Sequence, residues 1–236
     1  MKRKIIIWML LLFLSSCSFW IENTLWKKTH VSKNKKITLK TVTILTNLDL
    51  KLDSSITKYV DNKVHYTKNN YIPENLVNLK WDFLIDTKWN QKVRKITLNN
   101  LEKLSKDFYN TFNTKLKIVS AYRSYNYQKR IKDWGCSDIF CAKAGYSEHQ
   151  SGLAIDFWEA TQKSRFEKDI VLKEYFNWMK DNWDKYGFTN SYQKWVKIDW
   201  YAIEPWHWRY IWIWLAQNLK KQNITFAEFY YKNIKK

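Results

Sequence analysis

Apolar residues recur at helical spacing in Leu101, Leu104, Phe108 and Phe112, which predicts a helix with one face turned to a core. Alternation takes over immediately afterwards. Leu116, Ile118 and Ser120 mark a strand that delivers Arg123 at its end, and Tyr125 to Trp134 reads as a short helix. Leu153, Ile155 and Phe157 alternate with Ala154 and Asp156, so a second strand carries Asp156 on the face opposite the larger apolar side chains. The stretch Arg165–Lys185 is helical, with Phe166, Ile170, Tyr175, Phe176, Met179 and Trp183 as core candidates and Gly187 as its C-terminal stop. Thr225-Phe226-Ala227-Glu228 has the form of a capping box opening a last helix. Further upstream, Ile37 to Leu52 alternates and predicts one or two strands. Helices and strands mixed in this way, joined by short turns, give an α+β fold class.

The N-terminus changes the picture of where this domain works. Met1-Lys2-Arg3-Lys4 precedes an apolar run from Ile5 to Leu14, a secretory leader too short for a comfortable membrane span. It ends in Leu14-Ser15-Ser16-Cys17, which looks like a bacterial lipobox, so that Cys17 would carry the lipid. An uncleaved anchor helix running through Phe19 and Trp20 is the alternative. The expected organisation is a leader at 1–17, a basic tether with strands at 18–54 and a catalytic domain at 55–236, held at the outer face of a membrane. In such an oxidising compartment a disulfide between Cys136 and Cys141 is the expected state. Two free buried thiols are the alternative, and zinc ligation by them is least favoured. The net charge is +19, but lysines are spread along the whole chain and no nucleic-acid motif accompanies them. The anionic partners to expect outside a cell are lipid head groups and wall polymers.

Chemistry concentrates in two segments, Ser147–Asp156 and Glu204–Arg209. Each alone is weak, but together they supply His149, Asp156 and His207, a three-ligand set of the kind that leaves a fourth position on catalytic zinc to water. Zinc makes a nucleophile of water at neutral pH. Glu204 is the natural base for its proton and, later, the acid for the leaving amine. Only four histidines occur in the chain (His30, His65, His149 and His207), and two of them fall here.

With these residues in view, the chain resembles the VanY-type zinc D-alanyl-D-alanine carboxypeptidases. Three blocks carry the resemblance in order: Ser120-Ala121-Tyr122-Arg123-Ser124-Tyr125 followed by Gln128, then Gly145 to Phe157, then Glu204-Pro205-Trp206-His207-Trp208-Arg209-Tyr210. The resemblance implies a small antiparallel sheet carrying Zn2+ on His149, Asp156 and His207, flanked by helices, with Glu204 as catalytic base. It places Arg123 at the substrate, where a guanidinium fork suits a carboxylate or developing oxyanion. Ser124, Gln128 and Ser147 are candidate substrate contacts, each equally able to serve as a turn or capping residue. The activity implied is removal of a terminal D-alanine from peptidoglycan stem peptides. Rival readings keep the site but change the substrate (L,D-carboxypeptidase or endopeptidase), or make the chain a non-catalytic wall-binding lipoprotein, which would have no use for Glu204.

Composition adds one oddity. Tryptophan occurs 15 times and glycine four times, whereas ordinary glycine usage is about 7%. Trp195, Trp200 and Trp212 stand where glycine is expected, Asp199-Trp200 in the place of an Asp-Gly hairpin turn. A UGA codon read as tryptophan where the natural residue is glycine would explain them; Trp206 and Trp208 fit as they stand.

Overall fold

A computed structural model describes residues 48–158 and 163–234. The leader, Cys17 and most of the tether lie outside the described residues. The chain from Asp49 onward forms one unit, beginning earlier than the boundary expected near Ser55. Of the predicted alternation at Ile37–Leu52, only Leu48–Leu52 is described, and it is not a strand. Asp49 Oδ1 accepts hydrogen bonds from the backbone N–H of Lys51 and Leu52, both at 2.8 Å, and turns the chain there.

Seven strands are present among the described residues: β1 (Leu76–Asn78), β2 (Leu84–Asp86), β3 (Lys92–Arg94), β4 (Leu116–Ser120), β5 (Ala154–Phe157), β6 (Phe188–Asn190) and β7 (His207–Tyr210). β1 and β3 pair as a two-stranded ribbon, and the others form one sheet in the order β2-β4-β5-β7-β6. Only the β2–β4 edge is parallel; β4–β5, β5–β7 and β6–β7 are antiparallel. The α+β expectation with a small, mainly antiparallel sheet is met.

Helix α1 (Lys95–Phe112) buries Leu101, Leu104 and Phe108, as its apolar spacing requires. Phe108 meets Tyr175 and Trp178 edge-on at centroid distances of 4.9 and 5.4 Å. Helix α2 (Tyr125–Asp133) follows β4 as predicted. The single helix expected over Arg165–Lys185 is instead α3 (Lys163–Lys168) and α4 (Ile170–Asn182), continued by a 3-10 turn at Trp183–Tyr186. Asp169 makes the break: its side chain accepts from the N–H groups of Val171 and Leu172 and so starts a new helix. Ile170, the first residue of that new helix, is 75% exposed and is no core residue, while Phe166, Met179 and Trp183 are buried. Gly187 ends the 3-10 turn at φ 79°. A short α5 (Val196–Asp199) precedes β7, so Asp199-Trp200 is not a hairpin; Trp200 is the left-handed cap of that helix. After β7 come α6 (Ile213–Gln222) and α7 (Phe226–Ile234). The capping box opening α7 is reciprocal: Thr225 N–H donates to Glu228 Oε2 at 2.7 Å and Glu228 N–H to Thr225 Oγ1 at 3.3 Å.

Candidate metal centre and active site

Strand register does the first work of assembly. On β5 and β7, Asp156 lies directly opposite His207, and on β4 Ser120 lies opposite Asp156. Residues facing each other across strands hold their Cβ atoms about 4.5–5.5 Å apart, so pairing alone brings two of the three predicted ligands together. The third comes from the 3-10 turn Glu148–Ser151 just before β5, closed by Gly152 at φ 68°. A side chain at Gly152 would meet Leu76 Cδ2 at 2.8 Å, so the turn requires glycine both for its backbone and for space.

The side chains then converge. Asp156 Oδ1 stands 3.3 Å from His149 Nε2 and 3.0 Å from His207 Nδ1. The ligand atoms of the trio all lie within 4.8 Å of one another. The opposite ring nitrogens are engaged elsewhere, His149 Nδ1 with the carbonyl of Ala121 at 2.8 Å and His207 Nε2 with Glu148 Oε2 at 2.9 Å. Each imidazole therefore turns its remaining nitrogen toward the aspartate. Two imidazoles and a carboxylate, each oriented by a second partner, suit a divalent metal held by nitrogen and oxygen.

Electrostatics differ between the ligands. Burial pulls His149 down to about 4, and Arg123 adds to the effect. Burial acts the same way on His207, but Asp156 and Glu148 outweigh it and push it up to about 10. Burial also opposes ionisation of Asp156, yet His149, His207 and Arg123 hold its carboxyl well below the usual range.

Arg123 leaves the end of β4 and bonds Asp156 Oδ2 at 2.7 Å while its Nε donates to Ser120 Oγ at 2.9 Å. The aspartate is thus divided, one oxygen for the histidines and one for the guanidinium. Glu204 is buried, and burial raises its carboxyl to about 8, against the lowering influence of His207 and Arg123. Its loop is tied by Asn190, whose Nδ2 donates to the carbonyls of both Glu204 and His207 at 2.7 Å.

These groups share a cavity of about 300 Å³. Arg123, Gln128, Ser147, His149, Asp156, Glu204 and His207 line it, together with Tyr192, Tyr201 and Phe140. Ser124 does not; it caps α2 by accepting from Tyr127 N–H at 3.2 Å, the capping role left open for it. Gln128 is also tied into the structure, donating to the carbonyl of Ala142 at 2.8 Å. Cys136 and Cys141 form a disulfide with Cα atoms 5.8 Å apart, and both line the cavity mouth with Phe140.

Several members of the site carried no role in the sequence. Tyr192 stacks on His207 at 4.6 Å. Glu148 bonds Arg209 Nη1 at 2.8 Å and Ser191 Oγ at 2.6 Å, all three buried. Glu148 flanks His149 and Arg209 follows His207 closely, but nothing in a linear pattern pairs residues so far apart.

Comparison with known proteins bears on the family and the fold. The family model VanY, D-alanyl-D-alanine carboxypeptidase, matches residues 90–213. The putative carboxypeptidase YodJ of Bacillus subtilis (strain 168) is 34% identical over 190 residues, covering 74% of this chain and 67% of that one. Among solved structures, the LD-carboxypeptidase LdcB superposes with a TM-score of 0.63 at 27% identity, over 76% of this chain and 87% of its own. A mutant of the vancomycin-resistance D,D-pentapeptidase VanY, solved with Zn(II), shares the fold at 21% identity and a TM-score of 0.57, over 75% of this chain and 98% of its own.

Proposed function

The chain belongs to the VanY family of D-alanyl-D-alanine carboxypeptidases, and from that premise we propose that it is a zinc-dependent D,D-carboxypeptidase that removes the C-terminal D-alanine of peptidoglycan stem peptides. The observation that carries the proposal is Asp156 Oδ1 facing His149 Nε2 and His207 Nδ1, with Glu204 and Arg123 lining the same cavity. His149, Asp156 and His207 hold the metal. Zinc supplies Lewis acidity, which makes water a nucleophile near neutral pH and polarises a carbonyl. Glu204 accepts the proton of the attacking water and passes it to the leaving amine. A divalent cation nearby adds to the lowering influence that His207 and Arg123 already exert on its carboxyl. Arg123 serves Asp156 through Nη2 and Ser120 through Nε, and can turn N–H groups not used in these bonds to substrate oxygen. Cys17 anchors the protein by lipid outside the membrane, where the Cys136–Cys141 disulfide is at home.

The similarity to LdcB favours one alternative substrate, the tetrapeptide cut by an L,D-carboxypeptidase. Release of D-alanine from synthetic pentapeptide and tetrapeptide stems, with and without a chelator, decides between them. Chelator-sensitive release from the pentapeptide alone is expected. Release from the tetrapeptide alone moves the assignment to L,D-carboxypeptidase, and release from neither would refute both.

A further inference from the structure

Glu148 is a buried carboxylate for which the proposed reaction has no use. Its Oε1 accepts from Arg209 Nη1 at 2.8 Å; its Oε2 accepts from Ser191 Oγ at 2.6 Å and faces His207 Nε2 at 2.9 Å. Arg209 is itself fully buried and also donates to the carbonyl of Lys58. The carboxylate that faces His207 is thereby held by groups from two other elements, Arg209 of β7 and Ser191 after β6.

We propose that Glu148 is a positioning residue for the metal ligand His207. By accepting the Nε2 proton it fixes the tautomer in which Nδ1, beside Asp156 Oδ1, keeps its lone pair for the metal, and as a carboxylate it makes the ring a stronger base toward metal. Arg209 and Ser191 hold the carboxylate in place. This rests on the metal reading of the trio above. A purely structural role, in which Glu148 only ties the turn to β7 through Arg209, predicts a different pattern.

The test is a zinc titration of the metal-free full-length chain, with thermal melting in parallel. Glu148→Gln keeps the size but loses the charge; Glu148→Asp keeps the charge but draws it back from His207 by one methylene. Both should weaken zinc binding by roughly 10–100-fold. Thr225→Ala, which loosens the α7 cap away from the cluster, lowers the melting temperature without touching the carboxylate and should leave zinc affinity that of the parent. Unchanged zinc affinity in both Glu148 variants overturns the proposal, as does a loss that tracks melting temperature across all three variants. Failure of the parent chain itself to bind zinc would instead sink the metal reading, so the two failures are distinct.

A separate observation concerns what the chain is made of. Among the described residues, the non-glycine residues with positive φ are three asparagines and five tryptophans: Trp89 at 60°, Trp158 at 61°, Trp195 at 83°, Trp200 at 69° and Trp212 at 87°. Asparagine tolerates this region; a bulky aromatic does not. No described phenylalanine or tyrosine adopts it, so aromatic character is not the cause. Trp195, with φ 83° and ψ 166°, occupies a region that is essentially glycine's alone. Trp200 is a left-handed helix cap, again a glycine position. Trp89 and Trp195 are 85% and 49% exposed, and the indole nitrogens of Trp158 and Trp200 are buried without a partner. We infer that positions 89, 158, 195, 200 and 212 are glycine in the natural protein, encoded by UGA read as glycine. The codons test this first: UGA at all five with UGG at Trp208 is expected, and UGG at the five overturns it. In the expressed protein, Trp195→Gly and Trp212→Gly should each raise the melting temperature; a fall in both counts equally against it.

Discussion

The floor and the wall of the cavity are built in opposite ways. The floor is buried: His149 on the 3-10 turn, Glu204 on its loop, and Asp156 and His207 on the sheet, where strand pairing sets them opposite each other. The wall at the mouth is a short loop, with Phe140 half exposed, closed by the Cys136–Cys141 bridge and joined to the Glu204 side through the Ala202 N–H bond to the Ile139 carbonyl at 2.8 Å. His149, Asp156 and His207 of the floor are hydrogen-bonded or ion-paired to one another, whereas the loop supplies none of the floor groups. Precise groups suit rigid elements and adaptable ones suit loops, so on the proposed function the reaction type would rest on the first region and the choice of peptide on the second.

Substitutions in the two regions should therefore separate turnover from recognition. The largest effect belongs to Glu204→Ala: kcat for D-alanine release should fall roughly 10²–10⁴-fold, with zinc still bound stoichiometrically. Loss of zinc as well would mean Glu204 is part of the ligand set. Arg123→Lys keeps the charge but not the fork, and should cost about 10²-fold in kcat/KM; an unchanged value would confine Arg123 to the surface of the problem. On the wall, Cys136→Ser combined with Cys141→Ser should raise KM several-fold while leaving kcat near that of the parent, and destabilise the fold by about 2 kcal/mol by loop-closure entropy. An equal fall in kcat would erase the distinction between floor and wall. Zinc affinity should strengthen as pH rises from about 6 toward about 10, because His207, which its carboxylate neighbours push up to about 10, must shed a proton to bind, whereas His149 at about 4 is already neutral. The smallest effect is far from both regions: Thr225→Ala should cost about 1 kcal/mol in thermal or denaturant melts by loss of the α7 cap, without changing kcat or KM.

Legibility in the sequence followed the range of each interaction. The convergence of His149, Asp156 and His207 was readable because a short turn and a strand keep His149 and Asp156 in one motif, and because Glu204 and His207 share another. The apolar faces of α1, β4 and β5 were readable from spacing alone. The helix break at Asp169 was missed because apolar periodicity runs across it, while a single capping side chain outweighs that pattern. Ile170 accordingly lost its place in the core. The bond from Arg123 to Asp156 and the Glu148–Arg209 pair join residues distant in the chain, so no local pattern announces them. The alternation at Leu48–Leu52 misled because Asp49 uses its carboxylate to bend the backbone.

The pairing of Asp156 with His207 on β5 and β7 has a consequence for how this chain fails. Side chains alternate between faces along a strand, so a slip of one residue would send Asp156 and His207 to opposite sides of the sheet. A misregistered molecule would thus lose the trio along with its register. Deletions within either strand should abolish the site outright, whereas length changes in the loop at 136–141 should spare the trio, which lies on other elements. A hydrolase directed at the layer that holds a cell together is, by this pairing, active only when correctly folded.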